Sequence, residues 1–125
     1  MNTAASTLVR WPQLQQTPLL PGITAAVRMG DQLSAALFLL EANALVPRHT
    51  HPNEEFGQVI AGSLELTAGS ETAVLTVGEA FLIPGDLPHS AIAGPDGCTL
   101  LECYAPPRDP NPRDPNPASR TEAAS

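Results

Sequence analysis

Residues 47–62 read Pro-Arg-His-Thr-His-Pro-Asn-Glu-Glu-Phe-Gly-Gln-Val-Ile-Ala-Gly. His49 and His51 stand two residues apart, and side chains at this spacing in a β-strand point to the same side. Glu55 follows four residues after His51 and adds a carboxylate. Two imidazoles and a carboxylate from one short segment form the kind of nitrogen and oxygen cluster that binds a divalent first-row metal.

A second stretch supplies another candidate ligand. Residues 78–89 read Gly-Glu-Ala-Phe-Leu-Ile-Pro-Gly-Asp-Leu-Pro-His and end in His89, just past a Pro/Gly turn. The chain holds 3 histidines, and all of them fall within these two stretches. The two stretches together therefore predict one metal site.

Length and charge limit the classes of protein. A chain of 125 residues is expected to form one domain with its own core. A net charge of −7 and a pI near 4.7 argue against nucleic acid or an anionic membrane as the main partner. No apolar run approaches the roughly 18 residues of a membrane span, and the start of the chain does not resemble a signal peptide. We therefore expect a cytoplasmic protein.

The two cysteines support the same expectation. Cys98 and Cys103 fall in one predicted strand at an odd spacing, so their side chains should lie on opposite sides of the sheet. That geometry disfavours a disulfide between them. We expect free thiols in a reducing compartment.

Short alternating segments separated by glycine and proline turns predict an all-β sandwich or barrel. Residues 33–41 are ambiguous, because their leucines and alanines favour a helix by propensity. The segments on both sides alternate like strands, so we interpret this one as a strand. Two further turns are predicted inside the strand series, at Gly62–Ser63 and at residues 94–97.

The ends of the chain differ in composition from the middle. Residues 1–10 are polar, and we expect a flexible N-terminus. The sequence Arg-Asp-Pro-Asn-Pro occurs twice in succession, at 108–112 and 113–117, with almost nothing apolar to bury. We therefore predict a barrel domain over residues 11–107 and a disordered Pro-rich tail over 108–125.

These residues resemble a known family. His49-x-His51-x3-Glu55-x6-Gly62 resembles the first cupin motif, and Gly78-x5-Pro84-x4-His89 resembles the second. In the second motif Asp86 replaces the usual Gly and Ala93 replaces the usual Asn. The resemblance implies a double-stranded β-helix, or jelly-roll barrel, of the RmlC-like cupin type. It also implies a divalent transition metal, namely Mn, Fe, Ni, Co or Zn, with the ligands His49, His51, Glu55 and His89.

A narrower resemblance concerns the end of the domain. The sequence Glu102-x-Tyr104-Ala-Pro-Pro-Arg108-Asp is similar to the closing strand of KdgF-type pectin-degradation cupins, which reads approximately Asp-x-Phe-Ser-Pro-Pro-Arg-x-Asp. Those cupins convert 4,5-unsaturated uronates into linear keto sugars. The resemblance implies catalytic roles for Glu102, Tyr104 and Arg108, and Glu55 stands where that family often has Gln.

Glu102 also stands out on physical grounds. It is an acidic residue on a strand that is otherwise apolar on both faces, and its burial costs several kcal/mol unless it is paired or wet. It is either a general acid/base at the metal cavity or a carboxylate bonded to backbone or solvent at an open barrel end. Arg108 either clamps a substrate carboxylate or is solvated at the start of the tail.

Several functions remain open on the sequence. The protein is a metal-dependent enzyme acting on a small sugar acid, another cupin enzyme such as an Fe-dependent dioxygenase or a sugar isomerase, or a non-enzymatic cupin that binds a small ligand. The expected partner in each case is a small molecule. Cupins of this size are commonly homodimers, so a homodimer is expected as well.

Overall fold

The computed structural model of the chain describes residues 7–110. Most of the predicted flexible start and nearly all of the predicted Pro-rich tail lie outside these residues. A single 3-10 turn at Trp11–Gln13 precedes eight strands, and no helix in the described range is long and apolar enough to cross a bilayer. The strands are β1 (Thr17–Leu20), β2 (Ile23–Met29), β3 (Ser34–Leu40), β4 (Leu45–His49), β5 (Glu54–Ala68), β6 (Glu71–Thr76), β7 (Ala80–Ile83) and β8 (His89–Ala105).

The ambiguous segment at 33–41 forms strand β3, as predicted. Its even-numbered residues from Ser34 to Leu40 are buried, while the odd-numbered ones are half-buried or exposed. This period of two is that of a strand with one face on the core. Strands β2 and β8 pair with β3 along both edges, so tertiary hydrogen bonding overrides the helix propensity of its leucines and alanines.

Two long antiparallel strands organise the fold. The strands are joined in the order β1-β2-β3-β8-β5-β6, with β4 added to β8 and β7 added to β5. The first half of β5 pairs with β7 and with the second half of β8, whereas the second half of β5 pairs with β6 and with the first half of β8. Changing neighbours halfway along curls the sheet into the jelly-roll barrel that the sequence predicts.

The two turns predicted at Gly62–Ser63 and at 94–97 are wrong, because both segments lie inside continuous strands. The register of β5 against β8 shifts between Gly62 and Leu64, which marks a β-bulge. Gly62 has a φ of 76° and Gly97 a φ of 81°. Both values lie in the left-handed region that glycine adopts without strain. The glycines therefore bend β5 and β8 together instead of ending them.

The core fills the barrel with small and medium apolar side chains. Its buried members come from the inward face of four strands, β2, β3, β5 and β8: Ile23, Ala25, Ala36, Phe38, Leu40, Val59, Leu64, Ala91, Ala93, Cys98, Leu100 and Tyr104. Cys98 is buried and Cys103 is half-buried, and both are free thiols, which confirms the prediction of unpaired cysteines. Their placement follows from the alternation of side chains along β8.

Candidate metal centre and active site

Strand pairing brings the first two histidines of the site together. His49, the last residue of β4, is the cross-strand partner of His89, the first residue of β8. Their ring centroids lie 4.3 Å apart. The two stretches singled out in the sequence therefore meet at one end of the barrel.

His51 follows β4 and completes a cluster of three imidazoles. Its ring centroid lies 5.5 Å from that of His49 and 4.9 Å from that of His89. Each ring offers one nitrogen as a possible metal ligand, and these three nitrogen atoms all lie within 4.8 Å of one another. The loop between β7 and β8 also contacts His51, because the Asp86 N–H donates to the His51 carbonyl oxygen at 2.8 Å.

Backbone carbonyl groups orient all three rings in the same way. The Nδ1 of His49 lies 2.8 Å from the Pro47 oxygen, and the Nδ1 of His89 lies 2.8 Å from the Leu87 oxygen. The Nδ1 of His51 lies 3.1 Å from the Asn53 oxygen. A carbonyl accepts only from an N–H, so each ring carries a proton on Nδ1 and turns its Nε2 toward the other side of the ring. Histidines that bind metals are oriented by such outer hydrogen bonds.

The residues at this site fit a transition metal. The Nε2 atom of His89 is buried and has no hydrogen-bond partner among the described residues. A buried nitrogen without a partner costs free energy that a cation at this position would offset. Three imidazole nitrogens beside a carboxylate are a donor set suited to Mn, Fe, Co, Ni or Zn.

Glu55 supplies the carboxylate. It is 3% exposed, whereas its neighbour Glu54 is exposed, so Glu55 is the member of the pair that faces the barrel interior. Its Oε1 lies 3.0 Å from His51 Nε2 and 3.3 Å from His89 Nε2. The Glu55 carboxylate therefore lies beside the Nε2 atoms of both His51 and His89.

A second carboxyl group lies on the neighbouring strand. Glu102 is 8% exposed, and its side chain accepts a hydrogen bond from the Tyr104 hydroxyl. Tyr104 is the cross-strand partner of Glu55, and its ring centroid lies 5.9 Å from that of His51. Strand β8 therefore places the Glu102 carboxyl group and the Tyr104 phenol beside the histidine cluster.

Arg108 is buried and is not a solvated tail residue. It is 5% exposed, and its guanidinium carbon lies 5.4 Å from the centre of the Tyr104 ring, within cation–π range. Its Nε is buried and has no hydrogen-bond partner within residues 7–110. The chain thus folds back after β8 and places a fixed positive charge with a spare donor beside Tyr104.

Burial and mutual contact shift the pKa values in this cluster in different directions. Burial lowers the pKa of His49 from 6.5 to about 4, and the neighbouring histidines add to the effect, so this ring is neutral near pH 7. Burial raises the pKa of Glu102 well above its ordinary value, and the nearby charge of Glu55 raises it further. Glu102 therefore holds a proton when Glu55 does not.

Glu55 and His89 shift in opposite directions because they contact each other. Burial acts to raise the pKa of Glu55, but the close approach of His51, His89 and Glu102 outweighs it, and the pKa is lowered. Burial acts to lower the pKa of His89, but the close approach and charge of the Glu55 carboxylate outweigh it, and the pKa is raised. Both shifts favour an ionised carboxylate at the centre of the cluster.

The Asp that departs from the second cupin motif keeps the loop geometry of a glycine. Asp86 has a φ of 70°, in the left-handed region. Asp is among the few residues that adopt this region at moderate cost. The replacement therefore preserves the loop between β7 and β8 that contacts His51.

Two polar residues that the sequence analysis does not single out also belong to this end of the barrel. Ser34 is completely buried on β3, and Asn53 is buried just before β5. Both contact the segment that carries Arg108. An isolated serine or asparagine has no motif, so only the alternating burial of β3 could have placed Ser34 inside.

Comparison with known proteins identifies the family. The profile of the Cupin domain family matches residues 36–102, which is more than half of the chain. The protein therefore belongs to the cupin family. No curated protein sequence matches the chain.

Solved structures share the fold at low sequence identity. KdgF from Halomonas sp. superposes with a TM-score of 0.78 at 22% identity, covering 84% of this chain and 97% of that one. An RmlC-like cupin from Shewanella frigidimarina gives a TM-score of 0.78 at 21% identity, covering 84% and 95% of the two chains. Bacillus subtilis oxalate decarboxylase, described with Mn(II) centres, gives 0.73 at 20% identity, covering 85% of this chain and 31% of that one.

Proposed function

We propose that the protein is a metal-dependent cupin enzyme that converts a 4,5-unsaturated uronate into the corresponding linear keto sugar. The observation that carries the proposal is the buried group of Glu102, Tyr104 and Arg108 beside a cluster of three histidines. A barrel that only needed a stable core would gain more from apolar side chains at these positions.

The proposed metal ligands are His49, His51, Glu55 and His89. Their common features are burial or half-burial, a shared barrel end, and an inward lone pair or carboxylate oxygen. A divalent metal bound there would act as a Lewis acid toward a substrate oxygen.

Arg108 is proposed to bind the substrate carboxylate. A guanidinium presents several N–H donors in a planar fork that matches a carboxylate. Its Nε provides a donor that no residue in the described part of the chain uses. Because Arg108 lies on the Tyr104 ring, the bound carboxylate would lie close to Glu102 as well.

Glu102 is proposed as the group that moves the proton. The reaction is an isomerisation in which the bond between the anomeric carbon and the ring oxygen breaks. The anomeric hydroxyl loses its proton and becomes an aldehyde, while C4 gains a proton as the enol becomes a ketone. A carboxyl group that gives its proton to C4 and takes the proton of the anomeric hydroxyl balances both steps. Tyr104 orients this carboxyl group through its hydroxyl.

Two independent similarities support this substrate class. The closing sequence from Glu102 to Arg108 resembles that of KdgF-type cupins. KdgF from Halomonas sp. also shares the fold over 97% of its length. Because the identity is 22%, the comparison supports the barrel, and the substrate rests on the residues at its end.

An assay on unsaturated galacturonate and mannuronate tests the proposal. We expect the protein loaded with a transition metal to remove the absorbance of the double bond. The Glu102→Gln variant should abolish turnover while its metal content, measured by elemental analysis, stays unchanged. Glu54→Gln is the matched control, since this neighbouring glutamate is exposed, and it should keep full activity. Turnover in Glu102→Gln would exclude the assigned role, and Fe-dependent oxygen consumption would favour a dioxygenase.

A homodimer is proposed as the working form. Phe56 and Leu82 are cross-strand partners on the outer face, 38% and 64% exposed. Adjacent apolar side chains in water are typical of a surface that a second copy covers. Sedimentation should give twice the chain mass, and Phe56→Glu should give the monomer.

The free thiols of Cys98 and Cys103 are consistent with a reducing, cytoplasmic location.

A further inference from the structure

The segment after β8, residues 106–108, returns to the barrel end without belonging to any strand. Strand β8 ends at Ala105, and Pro106 and Pro107 follow. Prolines donate no backbone hydrogen bond, so this segment cannot be held by a regular ladder. Yet it places Arg108 in the interior at 5% exposure. Specific side chains must therefore hold it there.

Ser34 forms two hydrogen bonds with the backbone of Arg108. The Ser34 hydroxyl donates to the Arg108 carbonyl oxygen at 2.8 Å, and the Arg108 N–H donates to the same hydroxyl oxygen at 2.9 Å. Ser34 is 0% exposed, so water cannot replace either bond. One hydroxyl group thus satisfies both backbone polar groups of Arg108, which burial would otherwise leave unpaired.

Asn53 fixes the same segment two residues earlier. Its Nδ2 donates to the Pro106 carbonyl oxygen at 2.7 Å. The backbone carbonyl of Asn53 accepts from His51 Nδ1, so the residue that fixes the segment also orients one of the proposed ligands. Strand register adds a third relation, because Ser34 is the cross-strand partner of Tyr104, on whose ring the Arg108 side chain lies.

We propose that Ser34 is a positioning residue that sets the place of Arg108 in the site, with Asn53 as its accessory. The inference rests on the proposed function for the role of Arg108 as the anion-binding group. Ser34 itself touches only the backbone of Arg108, and it acts on the substrate through that residue. Its loss releases the guanidinium from the Tyr104 ring and weakens the binding of a carboxylate more than the chemical step.

The test compares Ser34→Ala with Thr24→Ala. Thr24 is on the adjacent strand β2, and its hydroxyl donates to Gln16, so the control also loses one side-chain hydrogen bond but none to the segment 106–108. We expect Ser34→Ala to raise KM for the unsaturated uronate roughly 10- to 100-fold with kcat much less affected. Thr24→Ala should leave both values unchanged.

A double variant separates positioning from a general structural role. If Ser34 acts through Arg108, Ser34→Ala should add nothing to the KM of Arg108→Ala. A further multiplicative increase in KM in the double variant would overturn the proposal. Should Ser34→Ala fail to fold, Asn53→Ala replaces it in the same comparison, because it removes the bond to Pro106 and leaves the Asn53 carbonyl in place.

Amide hydrogen exchange gives a readout that needs no substrate. In the metal-loaded protein we expect the Arg108 N–H to be protected and to exchange at least about tenfold faster in Ser34→Ala. Unchanged exchange at Arg108 would overturn the positioning role even if activity fell. If the parent protein turns over no uronate, the proposed function fails, and the exchange measurement still decides whether Ser34 holds Arg108.

Discussion

The Tyr104 hydroxyl donates a hydrogen bond to Glu102, two residues earlier on the same face of β8. Both side chains are buried, and both have pKa values that burial raises well above the ordinary range. A protonated phenol therefore fixes the carboxyl group that we propose as the proton carrier. The KdgF-type closing sequence that this strand resembles has an aspartate and a phenylalanine at these two positions, and a phenylalanine cannot donate this hydrogen bond.

The first prediction concerns this pair. Tyr104→Phe keeps the ring and removes the hydrogen bond, so Glu102 loses its orientation. We expect turnover to fall roughly 10- to 100-fold and stability to fall by about 1–2 kcal/mol. In Glu102→Asp/Tyr104→Phe the family's own pair is restored, and kcat should exceed that of either single variant. Rates that simply multiply in the double variant would contradict the coupling.

The second prediction concerns the pH dependence of stability without metal. The pKa of Glu102 is raised above its ordinary value of 4.5, so the folded state retains a proton that the unfolded state releases. Its contribution is fully present below pH 4.5 and is lost as pH rises toward the folded pKa. Glu102→Gln should remove this loss, so the stability difference between variant and parent should grow with pH, by at most about 1.4 kcal/mol per pH unit.

Chemical denaturation of the metal-free proteins from pH 4 to pH 8 measures this difference. Glu54→Gln is again the control, because that side chain is exposed on the opposite face of β5. Parallel curves for the parent and Glu102→Gln would show that Glu102 ionises normally in the folded protein.

The third prediction concerns the metal. A ligand that binds only the folded state at 100 times its Kd adds about 2.7 kcal/mol of stability. For a domain of this size that corresponds to a rise in Tm on the order of 10 °C. We expect Mn, Fe, Co, Ni or Zn to produce such a rise, and EDTA to reverse it. His89→Ala removes the buried nitrogen that lacks a partner and should abolish the rise; an equal rise in this variant would place the metal elsewhere.

The histidine cluster was predictable because histidines are a distinctive residue type and here stand at fixed spacings. With 3 histidines in the chain, their positions in two cupin-like motifs left few alternative arrangements. The pairing of His49 with His89 follows from the fold that those motifs imply. The burial of Arg108 could not be derived in the same way, since a residue after two prolines looks like the start of a solvated tail. What holds it inside is Ser34, 74 residues earlier in the chain.

The strands were predictable from alternation, and the errors came from glycine. Local propensity predicts turns at Gly62–Ser63 and at 94–97, because a glycine usually weakens or interrupts a strand. In the folded protein these residues lie side by side on β5 and β8 and bend both strands at the same level. Whether these residues form a turn or a bend within a strand depends on how β5 pairs with β8. The sequence of either segment alone does not contain that information.

The fourth prediction tests the bend. A Cβ on Gly62 would overlap the backbone carbonyl of Gly97, whereas a Cβ on Gly78 would meet nothing within 4 Å. Both glycines have positive φ values, 76° and 90°, so alanine at either position costs about 1–2 kcal/mol in backbone strain. Gly62→Ala should cost a further 1–3 kcal/mol, approximately, because β8 has to move away. Urea denaturation of the two variants measures the difference, and equal destabilisation would mean that β5 and β8 do not approach closely at the bend.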